Sequence, residues 1–85
     1  MAKIIRTDGT EEALPIVTLE SLQQAVGGFI EMVGLADGRQ LVVNEEGKLK
    51  GLPINEKACA LTPAHAAVGD LIVGDVVLAE AGEID

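Results

Sequence analysis

Asp37-Gly38 is the dipeptide that most constrains this chain. It separates two runs rich in apolar residues, 29–35 and 39–44. Asp-Gly in that setting is among the strongest short-range signals for a β-hairpin. With a two-residue loop, Ala36 faces Arg39, Val33 faces Val42, Met32 faces Val43 and Glu31 faces Asn44. Side chains alternate between faces along a strand, so Glu31 shares one face with Phe29, Val33 and Leu35. A carboxylate on such a face needs either a polar partner or open water. In this register Asn44 is placed to be that partner.

The rest of the chain reads around the hairpin. Residues 3–6 form a short strand, and Asp8-Gly9 a turn. Residues 11–17 are ambiguous, with Pro15 favouring an extended edge or a loop. Thr18 caps a helix over 19–26, with Glu20 in its first turn, Leu19, Leu22, Gln23 and Val26 at helical spacing and Gly27 at its end. Asn55 caps a second helix over 56–61, which ends at Thr62-Pro63 because the residue before proline avoids the helical region. Thr62 and Pro63 could start one further turn, closed by Gly69. Residues 71–79 are the last strand, and 80–85 an acidic, frayed tail. The expected fold is α+β: one domain over 1–85, a mostly antiparallel sheet with the hairpin at 29–44 and one or two short helices packed on it, in the order β-α-β-β-α-β.

The core of such a domain must be aliphatic, because Phe29 is the only aromatic in 85 residues. A small scaffold that is 48% apolar has surface to bury elsewhere, which predicts a homo-oligomer, a dimer or larger. Fourteen acids against six bases give a formal charge of −8. That disfavours nucleic acid and anionic membranes as partners, although an acidic surface can imitate nucleic acid towards a basic protein. One cysteine, Cys59, allows no internal disulfide. Met1-Ala2-Lys3 leads into a strand rather than a long apolar stretch, so the expected setting is the cytoplasm.

Catalytic material is sparse. Ser21, Cys59 and His65 are each the single residue of their type, and none stands beside an oxyanion or phosphate-loop motif. Cys59 reads as a small apolar group on its helix and His65 as a turn or surface residue. Glu45-Glu46 and the Asp70/Asp75 pair could in principle hold magnesium, but acidic turns are more often solvated. The expectation is a protein that is not an enzyme and uses no cofactor.

Binding is the class that remains, and the 42–55 segment is its best candidate. It turns at 44–47, presents Lys48 and Lys50, and turns again at 51–53 before Asn55. Asn44, Glu45, Lys48, Lys50 and Asn55 are the expected ligand residues, with Arg39 and Glu31 as outlying members. Arg39 lies at the hairpin tip, beyond reach of the lysines within one subunit unless a second copy brings them together.

G-G-F-I-E at 27–31, D-G-R at 37–39, N-E-E-G-K at 44–48, G-L-P-I-N at 51–55 and I-V-G-D-V at 72–76 together resemble an uncharacterised family of small bacteriophage and mobile-element proteins. The resemblance covers most of the chain. It implies expression inside a bacterial host and brings no established chemistry. By analogy with small phage proteins it suggests a counter-defence role, sequestering a nucleotide-like ligand in a pocket at an oligomer interface. The alternative is an acidic inhibitor or regulator of a host protein, including a DNA-mimic mode.

Overall fold

The computed structural model describes residues 1–84. Among them the chain forms β1 (Lys3–Ile5), β2 (Glu11–Ala13), α1 (Leu19–Val26), β3 (Ile30–Gly34), β4 (Gln40–Asn44), α2 (Glu56–Leu61), α3 (Pro63–Ala67) and β5 (Val76–Ala79). The architecture is α+β, with all strands in one antiparallel sheet ordered β2-β1-β5-β4-β3. The element order is longer than expected. The ambiguous 11–17 stretch supplies the edge strand β2, and Pro63 opens α3 as a separate short helix.

Both long helices are set by local chemistry. Thr18 accepts from the Ser21 amide while the Ser21 hydroxyl accepts from the Thr18 amide, closing a capping box at the start of α1. Gly27 ends that helix in the left-handed region, at φ 79°. Leu22 and Val26, one turn apart, are its buried residues. They pack on Ile4, Val42, Val77 and Ala79. The opposite face of the sheet, built from Ile5, Leu41, Val43, Val76 and Leu78, is covered by Ala58 of α2 and by Ile72. Because β4 and β5 are covered on both faces, they read as continuous apolar runs rather than alternating ones.

The hairpin exists, but its loop is one residue longer than expected. Leu35 donates to the Arg39 carbonyl at 2.9 Å, so Ala36-Asp37-Gly38 is a three-residue loop with Gly38 at φ 90°. Asp37 fixes it by accepting from the Arg39 amide at 3.0 Å. The register therefore slips: Glu31 faces Val43, and Asn44 faces Ile30. The expected Glu31–Asn44 pair does not form. Face-sharing along a strand does not depend on loop length, and Glu31 does stand on the face that Val33 and Leu35 share with the α2 cluster. There it is exposed and has water for a partner.

The last strand is shorter than expected. Gly74, at φ 78°, breaks the 71–79 run, leaving Val73 in an isolated bridge to Ile54 ahead of β5. The tail, expected to fray, folds back through Ile84: Glu83 accepts from the Ala2 amide at 2.7 Å and Ile84 packs on the α1 face. Asp85 lies outside the described residues. No helix among the described residues is long and apolar enough to cross a membrane.

Candidate functional site

A groove of about 430 Å³ opens on the α2 side of the sheet. One wall is the β3–β4 hairpin, through Glu31, Met32, Val33 and Val43; the other is the loop after β4 and the 65–73 segment, through Glu45, Lys48, Leu49, His65, Asp70 and Leu71–Val73. Its size lies within the usual range of small-ligand sites.

Asn44 builds the first half of that wall. It is 6% exposed. Its amide donates to the Val26 carbonyl at 3.0 Å and accepts from the Glu46 amide at 2.8 Å. The same side chain thus ties off the end of α1 and starts the turn that carries Glu45 into the groove wall. The loop then closes on itself, with Lys50 donating to the Glu46 carbonyl and Leu52 to that of Gly47. Gly47 lets it lie flat: a Cβ there would come within 2.9 Å of Val73 Cγ2. Lys48 and Leu49 end up on the rim, Leu49 87% exposed.

Asn55 builds the second half. It is fully buried. Its Nδ2 donates to the carbonyls of Ile5 and Gly74, each at 2.9 Å, and its Oδ1 accepts from the Ala58 amide at 3.1 Å, capping α2. Its backbone amide donates to the Ile72 carbonyl. This one residue therefore positions β1, α2 and the 72–74 approach to β5 together.

The charges are unequal. Asp70 holds Lys48 in an ion pair and meets His65 Nδ1 at 3.1 Å. The Lys48 ammonium, followed by His65, holds the Asp70 carboxyl below the ordinary carboxylate range. Glu31 and Glu45 have no basic partner among the described residues. The groove thus presents three carboxylates to one lysine and one histidine, above a floor of Val33, Val43 and Ile72.

Of the seven residues expected from the sequence, Glu31, Asn44, Glu45 and Lys48 come together at this groove. Lys50, Asn55 and Arg39 do not line it. Lys50 points to the start of the hairpin, its Nζ within 3.2 Å of where a Gly28 Cβ would stand. Arg39 turns back onto Asp37 at 2.7 Å. The sequence offered His65 only as a turn or surface residue and Asp70 only as a possible magnesium ligand with Asp75, and it placed neither of them, nor the apolar wall, beside the 42–55 segment. His65 and Asp70 share a short segment, but nothing local points that segment at Lys48, 22 positions away from Asp70. Cys59 lies half-buried against the α2-side cluster, its Sγ accepting from the Ile72 amide at 3.3 Å. No group of three or more His, Cys, Asp or Glu side chains among the described residues is gathered closely enough to hold a metal ion.

A family model described as Domain of unknown function (DUF3846) matches residues 2–85, and the chain belongs to that family. No curated protein and no solved structure matches it.

Proposed function

We propose that the protein is a non-catalytic binding protein that uses the acidic groove beside β3 and β4 to engage a basic segment of another protein, as an inhibitor or regulator. The observation that supports this best is the pair of carboxylates, Glu31 and Glu45, left without basic partners along an apolar floor. A lysine or arginine side chain matches that lining: its stem lies on the floor while its head meets the carboxylates. The formal charge of −8 adds attraction at a distance. The resemblance of its motifs to those of small phage and mobile-element proteins supports a bacterial cytoplasm as the setting of this activity and a host defence protein as its target.

A second reading keeps one favourable observation. Lys48 and Lys50 stand on one short loop, and the groove is large enough for a nucleotide-like ligand. Sequestration of such a ligand requires Lys48 to leave Asp70, and a second subunit to add positive charge at an oligomer interface.

A thermal-shift titration separates the two. Short lysine- or arginine-containing peptides are expected to raise the melting temperature, and Glu31→Lys or Glu45→Lys to reduce that rise. A rise with linear or cyclic nucleotides that disappears in Lys48→Ala, together with a dimer or larger species in light scattering, would replace this reading with the second.

A further inference from the structure

The two edges of the sheet are finished differently. In β3 the ladder bonds belong to the odd-numbered residues: Leu35 donates to Arg39, Glu45 donates to Phe29, and Glu31 and Val33 face Val43 and Leu41 in the same register. In an antiparallel pair the residues between them turn their N–H and C=O groups the other way. Ile30, Met32 and Gly34 therefore point their backbone donors and acceptors outward, beyond the last strand. β2, at the far edge, is three residues long and carries two acids locked in ion pairs, Glu11 with Lys3 and Lys57, and Glu12 with Arg6. Short length and charge blunt an edge. β3 has five residues and one charge, with Met32 39% exposed in it and Phe29 65% exposed just before it.

We infer that the open edge of β3 takes an extended basic segment of a protein partner as an added strand, with a lysine or arginine laid over the groove beside Glu31. This rests on the groove-binding reading and assigns its geometry. Charge decides the occupant. A second copy would bring another −8, and its own Glu31, to the same seam. A basic segment instead meets Glu31 and Glu45 on the groove side. Alternation fixes what it must look like. Its residues level with Glu31 and Val33 turn to the groove and include the basic one. Those level with Ile30, Met32 and Gly34 turn to the α1 side and are apolar or small. The backbone bonds supply affinity and the groove side supplies selectivity.

The test uses a short end-blocked peptide alternating valine and lysine, with glutamate replacing lysine in the control, and amide hydrogen exchange on the whole chain. The lysine peptide is expected to bind and to slow exchange at Ile30, Met32 and Gly34, leaving Glu11–Ala13 unchanged. The control is expected not to bind. Glu31→Lys, at an exposed position, should weaken binding roughly tenfold. Exchange on the unmodified chain keeps the test intact even if that variant misfolds. Peptide binding lost in Glu31→Lys, but with no slowing at the three amides, overturns the strand addition and leaves the groove reading standing. Absence of binding overturns both. Slowing at the same amides without peptide, growing with protein concentration, gives the edge to a second copy and overturns the inference.

Discussion

The 42–55 segment divides into two unlike parts. Its ends, Asn44 and Asn55, are buried, and every side-chain amide group they have is turned to the protein's own backbone. Its crest, 45–50, is exposed apart from Gly47 and meets the rest of the chain mainly through one surface ion pair. Both parts look alike as sequence: polar residues between apolar ones. Their energetics differ because a hydrogen bond left unmade in the interior costs the full desolvation of the orphaned group, whereas water replaces one lost at the surface. The asparagines hold the scaffold, and the crest carries little of it.

The largest expected effect tests the first half of that contrast. Asn55→Ala removes one of the two bonds to the Ile5 carbonyl, which keeps its ladder partner Val76, and leaves the Gly74 carbonyl and the Ala58 amide unpaired in the interior. At about 1–3 kcal/mol for each stranded group, partly relieved by relaxation, the loss should be about 3–5 kcal/mol. A domain this small sits near the low end of the usual range of stabilities, about 5 kcal/mol. Urea denaturation of the variant should show a chain at or near unfolding at room temperature. A loss under about 1 kcal/mol would mean that Asn55 is only a helix cap.

Asn44→Ala comes next. It strands one carbonyl, that of Val26, and one amide, that of Glu46. The latter lies at the start of an exposed turn where water can reach, so about 2 kcal/mol is expected. The same measurement should show the crest loosening first, seen as faster amide exchange at Lys50 and Leu52, whose bonds close the loop.

What the sequence made legible follows the range of each interaction. The bounds of α1 and α2 could be read from Thr18, Gly27 and Asn55, because capping is settled within one helical turn. The hairpin's existence was legible in Asp37-Gly38, but its register was not. The same dipeptide fits a two-residue loop or the last two positions of a three-residue one, and one slipped residue changes every cross-strand partner. β2 was legible only as one alternative, the extended edge that Pro15 favours, because all three of its residues are exposed and none alternates. At the site, four of seven expected residues meet at the groove, while His65 and Asp70 reach it through long-range packing that no local pattern encodes. The two asparagines were read as ligand residues for a definite reason: in a sequence, a buried polar node and a binding residue look the same.

A smaller effect belongs to the crest. Lys48→Ala and Lys50→Ala should each change stability by less than about 0.5 kcal/mol, since exposed ion pairs contribute little. If the nucleotide reading holds, each variant should still weaken ligand binding roughly tenfold, the value of one charge-assisted hydrogen bond. Equilibrium unfolding alongside ligand titration checks both. A stability loss above about 1 kcal/mol for Lys48→Ala would show the crest to be part of the scaffold and blur the contrast.

The smallest effect is the pH dependence. Asp70 is held below the ordinary carboxylate range by Lys48 first and His65 second, and Glu11 likewise by Lys3 and Lys57. Asp37 is held low by the Arg39 amide and then its guanidinium, and Asp8 by the Thr10 hydroxyl and amide. In each case the folded carboxyl gives up its proton more readily than the unfolded one. Below about pH 4, where unfolded carboxyls take up protons, the unfolded chain therefore binds more protons than the folded one, and stability falls as pH falls. The contribution is fully present above that range and disappears as pH drops through the folded values. The buried asparagines do not titrate, so the acid limb reports the exposed ion pairs and turns, including the crest. Asp70→Asn should make that limb shallower by lowering stability slightly at pH 7 and leaving it unchanged at low pH, where the parent carboxyl is also neutral, and added salt should shrink the difference between variant and parent. Thermal melts from pH 2 to pH 7 at low and high salt measure it. If the Asp70→Asn and parent curves superimpose at low salt, Lys48 does not hold Asp70 in solution and the crest is freer than the ion pair implies.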